Sequence, residues 1–313
     1  VARWTIVFQV ALIFGPVMAG SLYAVDPRAP FAAASVLFFV AAAAFWLLPP
    51  SYASRSGSRS RAAADDAVLP APAAAVQTAV AEATATALAE SEAPPAAAGG
   101  PGRLHEALEG LRLVRHQPIL LGAISLDLFA VLFGGAVALL PAIAEERLGV
   151  GAVGFGWLRA APGIGAATMM LLLAIRPLRR HVGRALLLAV AVFGVATVLL
   201  GATTNYVVAF AALVVLAGAD ALSVFIRITL VPLVTPSSAR GRVMAVENVF
   251  IGASNELGAF ESGVTGQLLG PSLAVGLGGV ATLIVAATWA RLFPALRDVD
   301  RFPTPIEEAA VLD

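Results

Sequence analysis

Apolar residues fall along this chain in long unbroken runs rather than at the spacing of an amphipathic helix or a half-buried strand. The runs cover 4–25, 31–49, 118–142, 153–175, 185–204, 207–234, 243–268 and 273–293. A helix rises 1.5 Å per residue, so about 20 apolar residues cross the ~30 Å of hydrocarbon in a bilayer. Each run is therefore predicted to be a membrane-spanning helix, and the fold class is an all-α polytopic helical bundle of about eight such helices. Barrel strands would instead alternate apolar and polar positions over ~10 residues. Turn signals separate the runs: Asp26-Pro27-Arg28, Pro49-Pro50, Thr235-Pro236-Ser237 and Gly270-Pro271.

Two stretches depart from this pattern. Residues 51–102 are rich in Ala, Ser and Pro and offer no large apolar face, which predicts a disordered linker. Residues 103–117 place Leu104, Leu108 and Leu111 on one helical face, with Glu106, Glu109, Arg112 and Arg115 around it. That pattern fits a short amphipathic helix on the membrane surface, or a plain extension of the next span. The predicted organisation is two helices in 1–50, the linker, the surface helix, a six-helix block in 118–293 and a polar tail in 294–313.

Composition agrees: 59% of residues are hydrophobic and 13% charged, against about 25% charged in ordinary soluble domains. There is no cysteine, which excludes disulfides, thiolate metal sites and cysteine nucleophiles. The three histidines, His105, His116 and His181, lie in polar connections without metal-ligand spacing. No metal site, cofactor or nucleic-acid partner is expected. All twenty basic residues are arginine. With residue 1 placed in the cytoplasm and the spans threaded alternately, sixteen arginines fall on the cytoplasmic side. Only Arg28 and Arg147 fall outside, and Arg159 and Arg227 lie within spans. The positive-inside rule thus predicts cytoplasmic termini and a location in the inner (plasma) membrane.

The polar residues inside the spans carry the candidate chemistry. Residues 241–270 hold Glu247, Asn248, Asn255, Glu256 and Glu261 in a segment long enough to cross a bilayer. Each buried ionisable group costs roughly 2.5–3.5 kcal/mol on insertion scales, so such groups are expected to serve a function. Counting residues from the loops gives their depths. Arg227 and Glu247 share the cytoplasmic third and are expected to form a structural ion pair. Arg159 and Glu261 both fall toward the outer side and are expected to form a gate. Asp220 and Glu256 fall near the midplane, and Asp127 about a third of the way in. Glu256, beside Asn255 and acting with Asp127 or Asp220, is the expected proton carrier; each of these acids is alternatively a helix cap or an interhelical hydrogen-bonding group. Asn248, Gly252, Asn255, Ala259 and Ser262 form a small, polar stripe suited to close packing or to a wet cavity.

Several stretches also carry a resemblance: GPVMAG (15–20), SLDLFAVLFGGAVALLPAIAEERLGVGAVGFGWLRAAPGIGA (125–166), PLRRHVGR (177–184), GADALSVFIRITLVPLVTPSSARGRVMAV (218–246) and ENVFIGASNELGAFESG (247–263). The chain resembles the major facilitator superfamily, and within it the drug- and siderophore-exporter branch that includes the enterobactin exporter. The resemblance implies that the eight spans are helices five to twelve of a twelve-helix fold. Helices one to four of the same protein would then be an absent partner and the chain an N-terminally truncated product. It implies that Gly15, Pro16 and Gly20 form the helix-bend motif of the fifth helix. It implies that Arg179, Arg180, Gly183 and Arg184 belong to a cytoplasmic loop motif, here without its usual acid. Each motif also has a plainer reading, as a proline kink and as a topology signal. The charge-free spans would be the sixth, ninth and twelfth helices, which face lipid.

The function expected from these readings is secondary active transport. The substrate would be an amphiphilic small molecule, such as a drug or siderophore, exported through the lipid bilayer by alternating access against protons. A non-transporting fragment or assembly partner is the alternative. A membrane-embedded lipid-modifying enzyme would need clustered acids or a nucleophile-base set, and the acids here are scattered in depth.

Overall fold

A computed structural model describes residues 2–47, 101–135 and 137–303. The linker predicted over 51–102, apart from its last two residues, and the tail beyond 303 lie outside the described residues. Among the described residues there are helices and no strands. The helices are α1 (Ala2–Val25), α2 (Ala29–Trp46), α3 (Pro101–His116), α4 (Pro118–Phe133), α5 (Ala152–Ile175), α6 (Val182–Ala202), α7 (Tyr206–Leu233), α8 (Arg240–Leu269) and α9 (Pro271–Leu292).

Helices occupy all eight predicted places, but the third run does not form one continuous span. It ends at Phe133, where Gly134 and Gly135 interrupt it, and resumes as a short turn, Leu140–Ala142, that runs into a π-turn, Ile143–Arg147. By length and composition, α5, α6, α7 and α9 are apolar and long enough to cross a membrane. The end of α3 with α4 makes a fifth if the bent pair counts as one, and α1 and α2 contribute shorter apolar stretches. Helix α8 has the length, but its arginines and three glutamates set it apart.

Local chemistry fixes the helix ends. Pro118 and Pro271 stand in the first turns of α4 and α9, where a missing N–H costs nothing. The Asn205 side chain accepts from Val207 N at 2.9 Å and Val208 N at 3.2 Å, capping α7. Arg147 donates to the carbonyls of Ala202 (3.0 Å) and Thr203 (3.4 Å) at the C-terminus of α6, the end a cation stabilises.

In the bundle, α6 packs along α9 and α7, α7 along α5, and α5 along α1, while α4 lies against α8 and α9. Trp289 links α9 to α4 by donating to Ser125 Oγ at 3.0 Å and packing on Phe129. The faces of α6 and α9 turned away from the core are apolar: Leu188, Val195 and Leu199 on one, Leu273, Leu277 and Ile284 on the other. Helix α3 turns by 104° into α4. It lies on α8 through the buried Val114 and through Glu109, which accepts from Arg242.

Candidate transport site

Helices α4, α7 and α8 each carry an ionisable residue six to nine positions from the end nearest the arginine-rich loops: Asp127, Arg227 and Glu247. At 1.5 Å per residue all three lie about 9–14 Å deep. There they meet. Arg227 Nη2 stands 2.8 Å from Asp127 Oδ1, and Nη1 stands 3.2 Å from Glu247 Oε1. The side chains are 4%, 7% and 3% exposed in the order Arg227, Asp127, Glu247, so water screens these contacts little. Among the described residues, Arg227 Nε and Glu247 Oε2 are buried without a hydrogen-bond partner.

The cluster is uneven in charge. One guanidinium faces two carboxylates, which leaves a charge of −1 when all three are ionised. A proton on either acid removes it. Asp127, expected alongside Asp220 as a candidate partner of Glu256 in proton coupling, is thus held by Arg227. Residue counting places Asp127 only about a third of the way into its span; its helix is distant in sequence from α8, and nothing in the sequence says that α4 and α8 pack together.

Asp220 lies near the middle of α7, two turns from Arg227 on the same helical face. Together with Asp127 and Ser223 it lines a cavity of about 10 Å³ between α4, α6 and α7. That is close to the volume one water needs. Asp127 therefore faces Arg227 on one side and a space shared with Asp220 on the other.

Glu256 and Asn255 stand apart from this cluster. Both are exposed near the middle of α8, and no ion pair holds Glu256 among the described residues. The expected polar stripe divides. Asn248, Asn255 and Ala259 lie on the open face, while Ser262 is buried. The packed edge of α8 is Ser254, Gly258 and Ser262, where a Cβ on Gly258 would meet the Val131 carbonyl at 2.9 Å.

Arg159 and Glu261 do not form the expected gate: among the described residues no ion pair joins them. Helix α5 packs on α7 and α1, while α8 packs on α4, α9 and α3, so matched depth does not bring these two side chains together. Arg159 instead points into a cavity of about 730 Å³ between α1, the start of α2, the π-turn and the first turns of α5.

The Gly15-Pro16-Gly20 segment forms one wall of that cavity. Pro16 lies inside α1, and Gly20 crosses α5 at Gly156. A Cβ on Gly156 would sit 2.6 Å from the Pro16 carbonyl, and one on Gly20 would meet the Ala152 carbonyl. Only glycine at both positions permits this approach.

In the loop between α5 and α6 and the first turn of α6, Arg179, Arg180 and Arg184 are exposed and Gly183 is buried. The loop has no acid of its own, and Asp300 of the C-terminal segment meets it. Asp300 Oδ1 accepts from His181 N at 3.1 Å, and Asp300 lies 3.7 Å from Arg180. The Gly183 N–H donates to the Val299 carbonyl at 2.9 Å, so the segment after α9 closes over the start of α6.

Helices long and apolar enough to cross a membrane and a charge cluster buried between three helices are the features of a polytopic membrane protein. A family model described as Major Facilitator Superfamily matches residues 1–217 of the 313, and the chain belongs to that superfamily of secondary transporters. No curated protein and no solved structure matches the chain.

Proposed function

We propose that the chain is part of a proton-coupled exporter of amphiphilic small molecules that works by alternating access in the inner membrane, with both termini cytoplasmic. The observation that carries this reading is the buried cluster of one cation and two carboxylates beside a water-sized cavity that Asp220 shares. Such a cluster gains by binding a proton, because like charges at close range resist ionising together. In this scheme Asp127 and Asp220 exchange the proton across the cavity. Glu247 keeps Arg227 in place while they do so. Glu256, on the open face of α8, is the point at which the proton enters or leaves. The same open face is offered to further helices of the transporter.

The test is transport in vesicles containing the chain together with any further helices its gene encodes. A pH gradient is imposed, and accumulation of 1-pyrenebutyrate or rhodamine 6G and proton release are recorded together. Asp220→Asn, Asp127→Asn and Glu256→Gln should each uncouple dye movement from the gradient. Parent-like transport by all three variants rules out the proton role.

A further inference from the structure

The cavity of about 730 Å³ lies within the ~300–1,000 Å³ range of small-molecule sites. Its walls are apolar and aromatic, with Tyr23 and Phe31 on one side and Phe155 on the other. Two charged side chains line it, Arg159 and Glu145, and among the described residues neither forms an ion pair with the other or with a third group. They differ in place. Glu145 sits in the π-turn before α5, whereas Arg159 is seven residues into α5, about 10 Å along that helix from its start. They also differ in chemistry. A carboxylate can lose its charge by taking up a proton, but a guanidinium cannot lose its own. When an apolar body displaces water from this cavity, Arg159 therefore needs an anion.

The start of α5 adds to this demand. Gly151 and Ala152 line the same cavity, and the Gly151 side of the helix end carries no side-chain cap. The first N–H groups of this 24-residue helix thus receive no side-chain cap, at the end of the helix that favours negative charge.

We infer that this cavity binds an amphiphilic organic anion, with its carboxylate or sulfonate on Arg159 and its aromatic body against Tyr23, Phe31 and Phe155. This names a substrate class for the exporter proposed above and rests on that reading. Glu145, lining the same cavity, opposes the anion's charge. An Arg159–Glu261 pair would have blocked this role, and it does not form.

The experiment compares three probes by fluorescence titration of the purified full chain in detergent: 1-pyrenebutyrate, its neutral isostere 1-pyrenebutanol, and the cation rhodamine 6G. On the parent protein pyrenebutyrate should bind about ten-fold or more tighter than pyrenebutanol, since a hydrogen bond to a charged group is worth roughly ten-fold or more. Arg159→Gln should erase that difference, bind rhodamine 6G no more weakly than the parent does, and leave 1-pyrenebutanol within about two-fold, the neutral probe also reporting an intact fold. Parity of the two pyrenes on the parent protein overturns the inference without need of any variant, as does an Arg159→Gln protein that keeps the preference. Arg159-dependent pyrenebutyrate binding in a protein that shows no gradient-driven transport would sink the exporter reading and leave this site standing.

Discussion

Arg227 on α7 and Asp127 on α4 meet at 2.8 Å, and the same guanidinium holds Glu247 of α8 at 3.2 Å, so one cation ties three helices together. The stability of the bundle should depend unequally on its members. Arg227→Gln leaves two buried carboxylates facing each other, and breaking a buried pair in this way costs about 3–5 kcal/mol. Asp127→Asn leaves a balanced Arg227–Glu247 pair and should cost far less. Thermal melting of the purified variants in detergent tests the order. If Asp127→Asn melts as low as Arg227→Gln, the view of Arg227 as the central tie is wrong.

The contact of α1 with α5 rests on two glycines. Gly156→Ala places a methyl 2.6 Å from the Pro16 carbonyl, whereas Gly15 has nothing within 4 Å of the same position. Overpacking of this kind costs typically ~1–3 kcal/mol. Gly15→Ala should be neutral or gain up to about 1 kcal/mol from helix propensity. Melting curves read alongside a cross-link between cysteines placed at Ala19 and Phe155 check this, since the chain has no cysteine of its own to confuse the result. Equal effects of the two substitutions would mean that α1 does not dock on α5 as described.

Asp300 on the C-terminal segment supplies a carboxylate to a basic loop that lacks one. Its partners are exposed: side chains 64% and 48% accessible pair at 3.7 Å between Arg180 and Asp300. Such pairs are worth about 0–1 kcal/mol. Asp300→Ala should therefore barely move the melting temperature. It should, however, speed amide exchange at His181, whose N–H it accepts. Gly183→Ala is the stronger lesion, because its methyl would meet the Leu296 carbonyl and push the segment off α6. Exchange at Val182 and Gly183, which donate to Asp300 O and Val299 O, should rise severalfold. Unchanged exchange in both variants would mean that the segment does not hold the start of α6.

The helices were readable because a bilayer demands runs of fixed length, and those runs stand out against the loops. The Arg227–Glu247 contact was readable too, since opposite charges on consecutive helices were counted to one depth from a shared loop. Depth alone could not say which helices touch. It therefore matched Arg159 with Glu261, whose helices pack elsewhere, and left Asp127 without the arginine that holds it. It was silent on Asp300, because a tail folding back under α6 leaves no periodic trace. The break at Gly134-Gly135 was present in the sequence, yet the apolar run continues past it and hides the end of the helix.

The face of α8 decides whether Glu256 can handle protons at all. Asn255 and Glu256 are exposed, whereas Ser254, one position before Asn255, is fully buried. Exposure on an isolated helix face means either water or lipid, and cysteine chemistry separates the two. A thiol reacts with a maleimide as the thiolate, which forms in water and not in hydrocarbon. In membranes containing the intact transporter, Asn255→Cys and Glu256→Cys should react with a charged maleimide, and Ser254→Cys should not. Labelling at 255 and 256 should also fall when substrate closes the cavity. If both positions stay unlabelled while a cysteine at the loop residue Ser238 reacts, the face meets lipid or other helices. Glu256 then has no water path, and proton exchange must rest on Asp127 and Asp220 alone.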